Sequence, residues 1–313
     1  MAIDIHAHAW TDAYLDLLQG YGKSDTATQR GLGAGVSDAD MEARFELMDA
    51  AGITLQVLSV TPQSPHFTDR EHAVRAARTA NDLYADVVRR WPDRFRAFAA
   101  LPFPHTDAVL EELARALDEL NMAGACTTTS VLGRSVADPA FEPVFAELDR
   151  RGSVLYVHPA GTGAESPLIA GHRLTWTIGA PVEDTVAVMH LILAGVPSRY
   201  PRLKIVISHL GGALPMVLAR ADDQYLWEAP DIAEKPSLAA RRMWYDTVGH
   251  GHVPALWAAV ESLGADRLVL GTDFPYQAAE QFLAATSYVR YSGLPDAQAT
   301  AILDENVTEL ITL

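Results

Sequence analysis

Eight short apolar runs, each followed by a stretch long enough to form a helix, constrain this chain more than any other feature. They are Ala2–Ile5, Ile53–Val60, Phe95–Leu101, Met122–Thr127, Ser153–Val157, Leu203–Ser208, Met243–Thr247 and Arg267–Gly271. Short β-branched runs alternating with amphipathic segments are the mark of repeated βα units and a parallel sheet. Eight such units predict an α/β fold, a closed (β/α)8 TIM barrel, with its active groups at the C-terminal ends of the strands.

Helix starts carry matching chemistry: Ser37-Asp38-Ala39-Asp40 before Met41–Ala51, Thr68-Asp69-Arg70-Glu71 before a long helix, and Asp138-Pro139 before Ala140–Arg150. Gly52, Gly124, Gly152 and Gly264 fall where a helix hands over to the next strand and are expected as helix C-caps. The stretches Gly31–Gly35 and Ala160–Leu174 read as loop insertions, expected on the functional face. With no linker, low-complexity tract or tandem repeat, residues 1–313 read as one domain.

Charge and cysteine content narrow the partners. A formal charge of −16 with only three lysines, Lys23, Lys204 and Lys235, argues against nucleic acid and anionic membrane. No run approaches the roughly 20 apolar residues of a membrane span. The start, Met1-Ala2-Ile3-Asp4-Ile5-His6, has no basic segment leading into an apolar one, so a cytoplasmic protein is expected. The single cysteine, Cys126, allows neither an intrachain disulfide nor a cysteine-based zinc site. Any metal must then rest on histidines and carboxylates, and the expected partner is a small molecule.

The histidines fall where such a site needs them. His6-x-His8 ends the first strand region, and side chains at i and i+2 point the same way. His158 closes the fifth run, His209 the sixth, and Asp273 the eighth. His-x-His alone is a weak signal, but five such residues at strand C-terminal ends are not scattered as chance would scatter them. His6, His8, His158 and Asp273 offer three ring nitrogens and one carboxylate oxygen, a set suited to Zn²⁺, Mn²⁺, Fe²⁺ or Co²⁺ with a position left open. Asp4 and Asp246, inside or ending strands, are expected to support a ligand histidine through hydrogen bonds.

At this point the chain resembles the amidohydrolase superfamily, and within it the amidohydrolase-2 branch, similar to α-amino-β-carboxymuconate-ε-semialdehyde decarboxylase. The carriers are Ile3-Asp4-Ile5-His6-Ala7-His8, Met48-Asp49 with Gly52-Ile53-Thr54-Leu55-Gln56, Val157-His158-Pro159, Gly195-Val196 with Tyr200-Pro201-Arg202-Leu203-Lys204, Ser208-His209-Leu210-Gly211-Gly212, Tyr245-Asp246-Thr247 and Gly271-Thr272-Asp273-Phe274-Pro275. The resemblance implies one divalent metal on His6, His8, His158 and Asp273, with Zn²⁺ expected first and Mn²⁺ second, and proton transfer by His209 and Asp273. Binuclear relatives bridge two ions with a lysine at the end of strand four. Here that strand reads Ala123-Gly124-Ala125-Cys126-Thr127-Thr128-Thr129, so a single ion is expected.

The resemblance also implies a homodimer, in which Arg220 reaches a substrate carboxylate in the neighbouring subunit. The structural alternative pairs Arg220 with Asp222, Asp223 or another acid on the helix surface. Trp176 and His250 are expected to line the substrate pocket. His252 is a weaker candidate, and His66 either projects over the rim or, as the first expectation, is a loop histidine in solvent. His72, His105, His172 and His190 have structural or surface readings. Two departures stand out: Ala160-Gly161-Thr162 follows Pro159 where the decarboxylase has a tryptophan, and Arg30 is the nearest counterpart of its substrate arginine.

The expected chemistry is non-oxidative decarboxylation of a small aromatic or unsaturated carboxylic acid, with the metal as Lewis acid and His209 as acid/base. The same residues would serve a hydrolase acting on a lactone, amide or C–C bond through metal-activated water. A hydratase needs no others, and a non-catalytic barrel would have lost a ligand.

Overall fold

Each of the eight apolar runs becomes a strand. A computed structural model describes residues 2–312. The strands are β1 (Ala2–His8), β2 (Ile53–Ser59), β3 (Phe95–Ala100), β4 (Gly124–Thr128), β5 (Val154–His158), β6 (Lys204–Ile207), β7 (Trp244–Asp246) and β8 (Leu268–Val269). They pair in parallel in chain order. The ring closes where β1 meets the segment leaving β8: Ile5 N donates to Leu270 O at 2.9 Å, Asp273 N to His6 O at 2.8 Å and His8 N to Phe274 O at 2.7 Å. These last two bonds set the first and last metal-ligand candidates side by side.

The helix signals act as read, with local differences. Ser37 forms a full capping box with Asp40, and Asp69 caps the helix Arg70–Arg90 by accepting from His72 N. Asp138 accepts from Ala140 N, but a short 3-10 turn, Pro139–Phe141, precedes the α-helix Glu142–Arg151. Gly52 and Gly152 are left-handed caps. Gly124 is not a cap: it opens β4, where a Cβ would lie 2.7 Å from Val154 Cβ and 2.8 Å from its carbonyl oxygen. Strand contact, rather than helix termination, requires glycine there. Two features had no periodic signal, a hairpin of Ser130–Val131 with Arg134–Ser135 and a π-helical turn at Thr175–Gly179.

Beneath the rim, a buried polar chain ties three strands together. Asp4 accepts from His6 N (3.0 Å), Thr272 N (3.0 Å), Thr272 Oγ1 (2.6 Å) and Gln56 Nε2 (2.7 Å). Gln56 Oε1 accepts from Arg44 Nε at 2.7 Å, and Arg44 Nη1 donates to His8 O at 3.1 Å. The Arg44 guanidinium lies 4.4 Å from the ring centre of Phe274, the residue after Asp273. Burial pulls Arg44 down to about 10 and pushes Asp4 up to about 6, so both stay charged at neutral pH. Replacing Asp4 with Ala strands four donors and a buried cation. D4A is expected to lose about 3–5 kcal/mol in urea denaturation; a loss under about 1 kcal/mol would show the network to be incidental.

Candidate metal centre

The alternation of β1 puts Asp4, His6 and His8 on the inner face, and the register of β5 with β4, which sets His158 opposite Thr128, brings His158 level with the rim. His6 Nε2 lies 3.1 Å from His8 Nε2, and Asp273 Oδ1 lies 3.1 Å from the first and 3.2 Å from the second. Together with His158 these ligand atoms fall within 4.8 Å of one another, on four buried residues. Such spacing suits donors sharing one ion at bonds of about 2.0–2.2 Å.

Proton bookkeeping shows why this cluster fits a cation. His6 Nδ1 donates to Asp246 Oδ2 at 2.7 Å, and His158 Nδ1 donates to the Pro159 carbonyl at 2.9 Å. With the protons there, both Nε2 atoms present lone pairs. His158 Nε2 is buried without a hydrogen-bond partner. His8 Nδ1 meets Ser59 Oγ at 3.1 Å, and Ser59 in turn meets Thr61 Oγ1 at 2.8 Å, which leaves His8 Nε2 facing the same point. Electrostatics agree. Burial disfavours charge on His6, but Asp246 and Asp273 outweigh it and raise the ring to about 9. Burial lowers His8 to about 4 and His158 well below its ordinary value. The donor set fits one divalent ion. The end of β4 supplies only threonines. Lys23 caps loop carbonyls of Pro62 and Ser64, Lys204 begins β6 at the opposite end, and Lys235 precedes the helix Pro236–Ala240.

His209 stands beside this cluster. Its Nδ1 donates to Asp184 Oδ2 at 2.9 Å, Ser208 Oγ donates to Asp184 Oδ1 at 3.0 Å, and its backbone N donates to Asp246 Oδ1 at 2.9 Å. That leaves His209 Nε2 free of Asp184 and 3.8 Å from Asp273 Oδ2. Burial opposes charge on this ring, yet Asp184 holds it well above the ordinary histidine value. His209, Leu210 and Asp273 are non-glycine residues at φ of 54°, 57° and 59°. Such left-handed conformations cost of order 1–3 kcal/mol each and persist where surrounding structure enforces them. The turn after His209 also needs Gly212, where a Cβ would lie 2.0 Å from Pro181 O.

A cavity of about 510 Å³ opens over His158, His209 and Asp273. Its walls are largely apolar, with Trp176, Ala180, Pro181, Leu210, Val248 and Tyr276 among them. The Trp176 and Tyr276 rings are near-parallel, 26° apart with centroids 6.2 Å from each other. Trp176 and His250 both line this space. Arg220 does not. It lies exposed on the helix Leu214–Glu228, in a separate groove with Met189, Leu193, Val217 and Tyr225. Nor does it pair with Asp222, which accepts from Ser237 N and Oγ. Arg30 bridges Asp12 and Asp16. His66 is not a solvent histidine: its ring meets Thr128 Oγ1 at 3.3 Å and the edge of Phe103. His252 is exposed and outside the cavity.

Asp184 and Tyr276 are site residues that the sequence reading missed. Tyr276 follows Asp273 by three positions, which was an available signal; Asp184 sits 25 residues before its histidine on another element and had none. Asp246, by contrast, is the expected ligand support. Asp246→Asn removes the charge that steadies His6 and is expected to weaken metal affinity about 10–100-fold. Chelator competition with Mn²⁺ or Zn²⁺ measures this, and unchanged affinity would remove Asp246 from the centre.

Known proteins resemble this chain in sequence and fold. A family model described as amidohydrolase matches residues 3–312. A γ-resorcylate decarboxylase from Rhizobium sp. (strain MTP-10005) is 30% identical over 293 residues, covering 87% of each chain. A 2-amino-3-carboxymuconate-6-semialdehyde decarboxylase from Dictyostelium discoideum is 28% identical over 247 residues, 77% of this chain and 68% of that one. Among solved structures, a 2,6-dihydroxybenzoate decarboxylase complexed with 2,6-dihydroxybenzoate superposes with a TM-score of 0.87 at 26% identity, covering 100% of this chain and 99% of that one. A dihydroxybenzoic acid decarboxylase from Polaromonas sp. JS666, with bound manganese and the inhibitor 2-nitroresorcinol, gives 0.84 at 26% identity, covering 98% and 95%. Matched over nearly its whole length, and with its ligand candidates gathered at the barrel rim, this chain belongs to the amidohydrolase family.

Proposed function

We propose that this protein is a metal-dependent carboxy-lyase that removes CO₂ non-oxidatively from a small aromatic carboxylic acid. The observation that carries this reading is the cavity itself: apolar, flanked by two near-parallel aromatic rings, and floored by the converging donors and His209. A flat ring packs against such walls, and the decarboxylase relatives act on acids of this kind. A divalent ion held by His6, His8, His158 and Asp273 supplies a Lewis acid for the substrate carboxylate or an adjacent oxygen.

The chain's own residues do the rest. Asp184 fixes the proton on His209 Nδ1, so Nε2 is the atom that faces the cavity. From Nε2 a proton passes to the ring carbon. The C–C bond to the carboxylate breaks, its electron pair forms the new C–H bond, and CO₂ leaves. Asp273 Oδ2, 3.8 Å from Nε2, stays ionised and with Asp184 favours the doubly protonated ring that the step requires; solvent returns the proton to Nε2 after CO₂ leaves. Trp176 and Tyr276 orient the ring, and His250 meets substituents at the rim. The apolar walls keep water sparse, which supports decarboxylation over attack on a lactone or amide.

The finer assignments follow the same line. The ion is Zn²⁺ or Mn²⁺: imidazole nitrogens suit zinc, while the Polaromonas relative holds manganese. No helix among the described residues is long and apolar enough to cross a membrane, and the free, buried Cys126 suits a reducing cytoplasm. A homodimer is supported by the exposed apolar side chains Leu193, Met216, Leu226 and Trp227 on neighbouring helices. Arg220 lies in that groove, and its role is with a carboxylate in the partner's cavity.

Protein loaded with Mn²⁺ or Zn²⁺ is expected to release one CO₂ per phenol formed from 2,6-dihydroxybenzoate or a substituted salicylate. His209→Ala should retain its metal and lose about 10²–10⁴-fold in kcat. Ring-opening of lactones without CO₂ release, or normal turnover by H209A, would contradict the proposal.

A further inference from the structure

The helix Ala180–Leu193 enters beside the cavity, with Ala180 and Pro181 in its wall, and Glu183 follows on its first turn. Glu183 is buried, and no lysine or arginine pairs with it among the described residues. Instead it collects donors. Its Oε2 accepts from Ala160 N (2.6 Å), Gly161 N (3.1 Å) and Thr129 Oγ1 (3.1 Å). Its Oε1 accepts from Thr162 N (2.9 Å), Ala164 N (3.1 Å) and Thr162 Oγ1 (3.3 Å). Four of the six are backbone amides of one segment, residues 160–164, which begins directly after His158-Pro159.

A carboxylate buried without a cation is costly unless dipoles replace the lost water, and successive amides curled around an anion do so. The dependence is mutual, because without Glu183 the four amides lose their acceptor. The segment has one further contact that matters. Gly161, at φ 75°, lies so close to the Trp176 ring that a Cβ there would stand 2.7 Å from it. The indole therefore rests on the backbone that Glu183 holds, and the Tyr276 ring lies beside it.

We infer that Glu183 is a positioning residue: it fixes the 160–164 segment, and through Gly161 it sets where Trp176 stands beside Tyr276 in the cavity wall, and hence the aromatic face against which a planar substrate packs. Glu183 touches no reacting atom. The segment that follows Pro159 directs four of its backbone amides to this one side chain, and substrate affinity follows from it. The part of this inference that concerns substrate rests on the decarboxylase reading; the part that concerns the loop does not.

The test uses Glu183→Gln in the full, metal-loaded protein. Its amide group turns two donors toward the backbone N–H groups, so hydrogen exchange at residues 160–164 should quicken about 100-fold while strand amides keep their protection. With 2,6-dihydroxybenzoate as probe, KM should rise about 10-fold with kcat changed less than about 3-fold, since binding rather than proton transfer is lost. Trp176→Ala should raise KM similarly, and the double variant should be no worse than either alone, because both act through the indole.

Unchanged exchange would overturn the anchoring, and faster exchange with unchanged KM would overturn the link to the cavity wall. KM penalties that multiply in the double variant would show that Glu183 acts elsewhere. If E183Q does not accumulate, Thr129→Val removes one donor to Glu183 and the hydroxyl that accepts from Ala160 N; it should raise KM about 3-fold, and no rise would overturn the inference equally. If wild-type protein leaves 2,6-dihydroxybenzoate untouched, the exchange result still decides the loop claim, while the decarboxylase reading fails on its own assay.

Discussion

Three imidazole nitrogens and a carboxylate oxygen are forced to face one another at the dry mouth of the barrel, and most of the surrounding polar structure answers to that constraint. Unprotonated nitrogens a little over 3 Å apart repel, and only a positive charge between them makes the arrangement favourable. The neighbouring carboxylates push the same way. His6 is pulled toward the charged form by Asp246 and Asp273, while burial drives His8 and His158 away from it. A proton cannot satisfy both tendencies, whereas a divalent ion shared by all four residues can.

Holding these atoms in place takes a deeper layer of structure. Asp246 grips the His6 ring and the backbone N of His209, so one side chain orients a ligand candidate and the proposed acid/base residue together. Asp4 holds the backbone of His6 and both donors of Thr272, next to Asp273, and passes through Gln56 to Arg44, which grips the carbonyl of His8. The left-handed backbone at His209 and Asp273 makes sense in this setting. A regular strand end would aim these side chains differently, and the cost in conformational energy is met by the bonds that fix them.

The sequence made the fold and the ligand set legible because both depend on local periodicity. Strands buried on both faces show as apolar runs, and the two-residue repeat of a strand pairs His6 with His8 without further information. His158, His209 and Asp273 were readable from their positions at the ends of runs. What escaped depends on pairings between distant elements. Asp184 and Glu183 are ordinary acidic residues on an amphipathic helix until the barrel closes and brings His209 to one and residues 160–164 to the other. Gly124 looked like a helix cap because a glycine before a strand usually is one; its reason is the close approach of Val154. Arg220, expected to serve a neighbouring subunit, sits exposed in a groove apart from the cavity of its own chain.

The central claim is that four side chains form a site for a single divalent ion. Elemental analysis of the purified protein, combined with anomalous scattering from its crystals, tests it most directly. The account predicts one metal atom per chain, with its anomalous peak within bonding distance of His6, His8, His158 and Asp273. A metal-free active enzyme, two metals per chain, or a peak away from these four residues would contradict it.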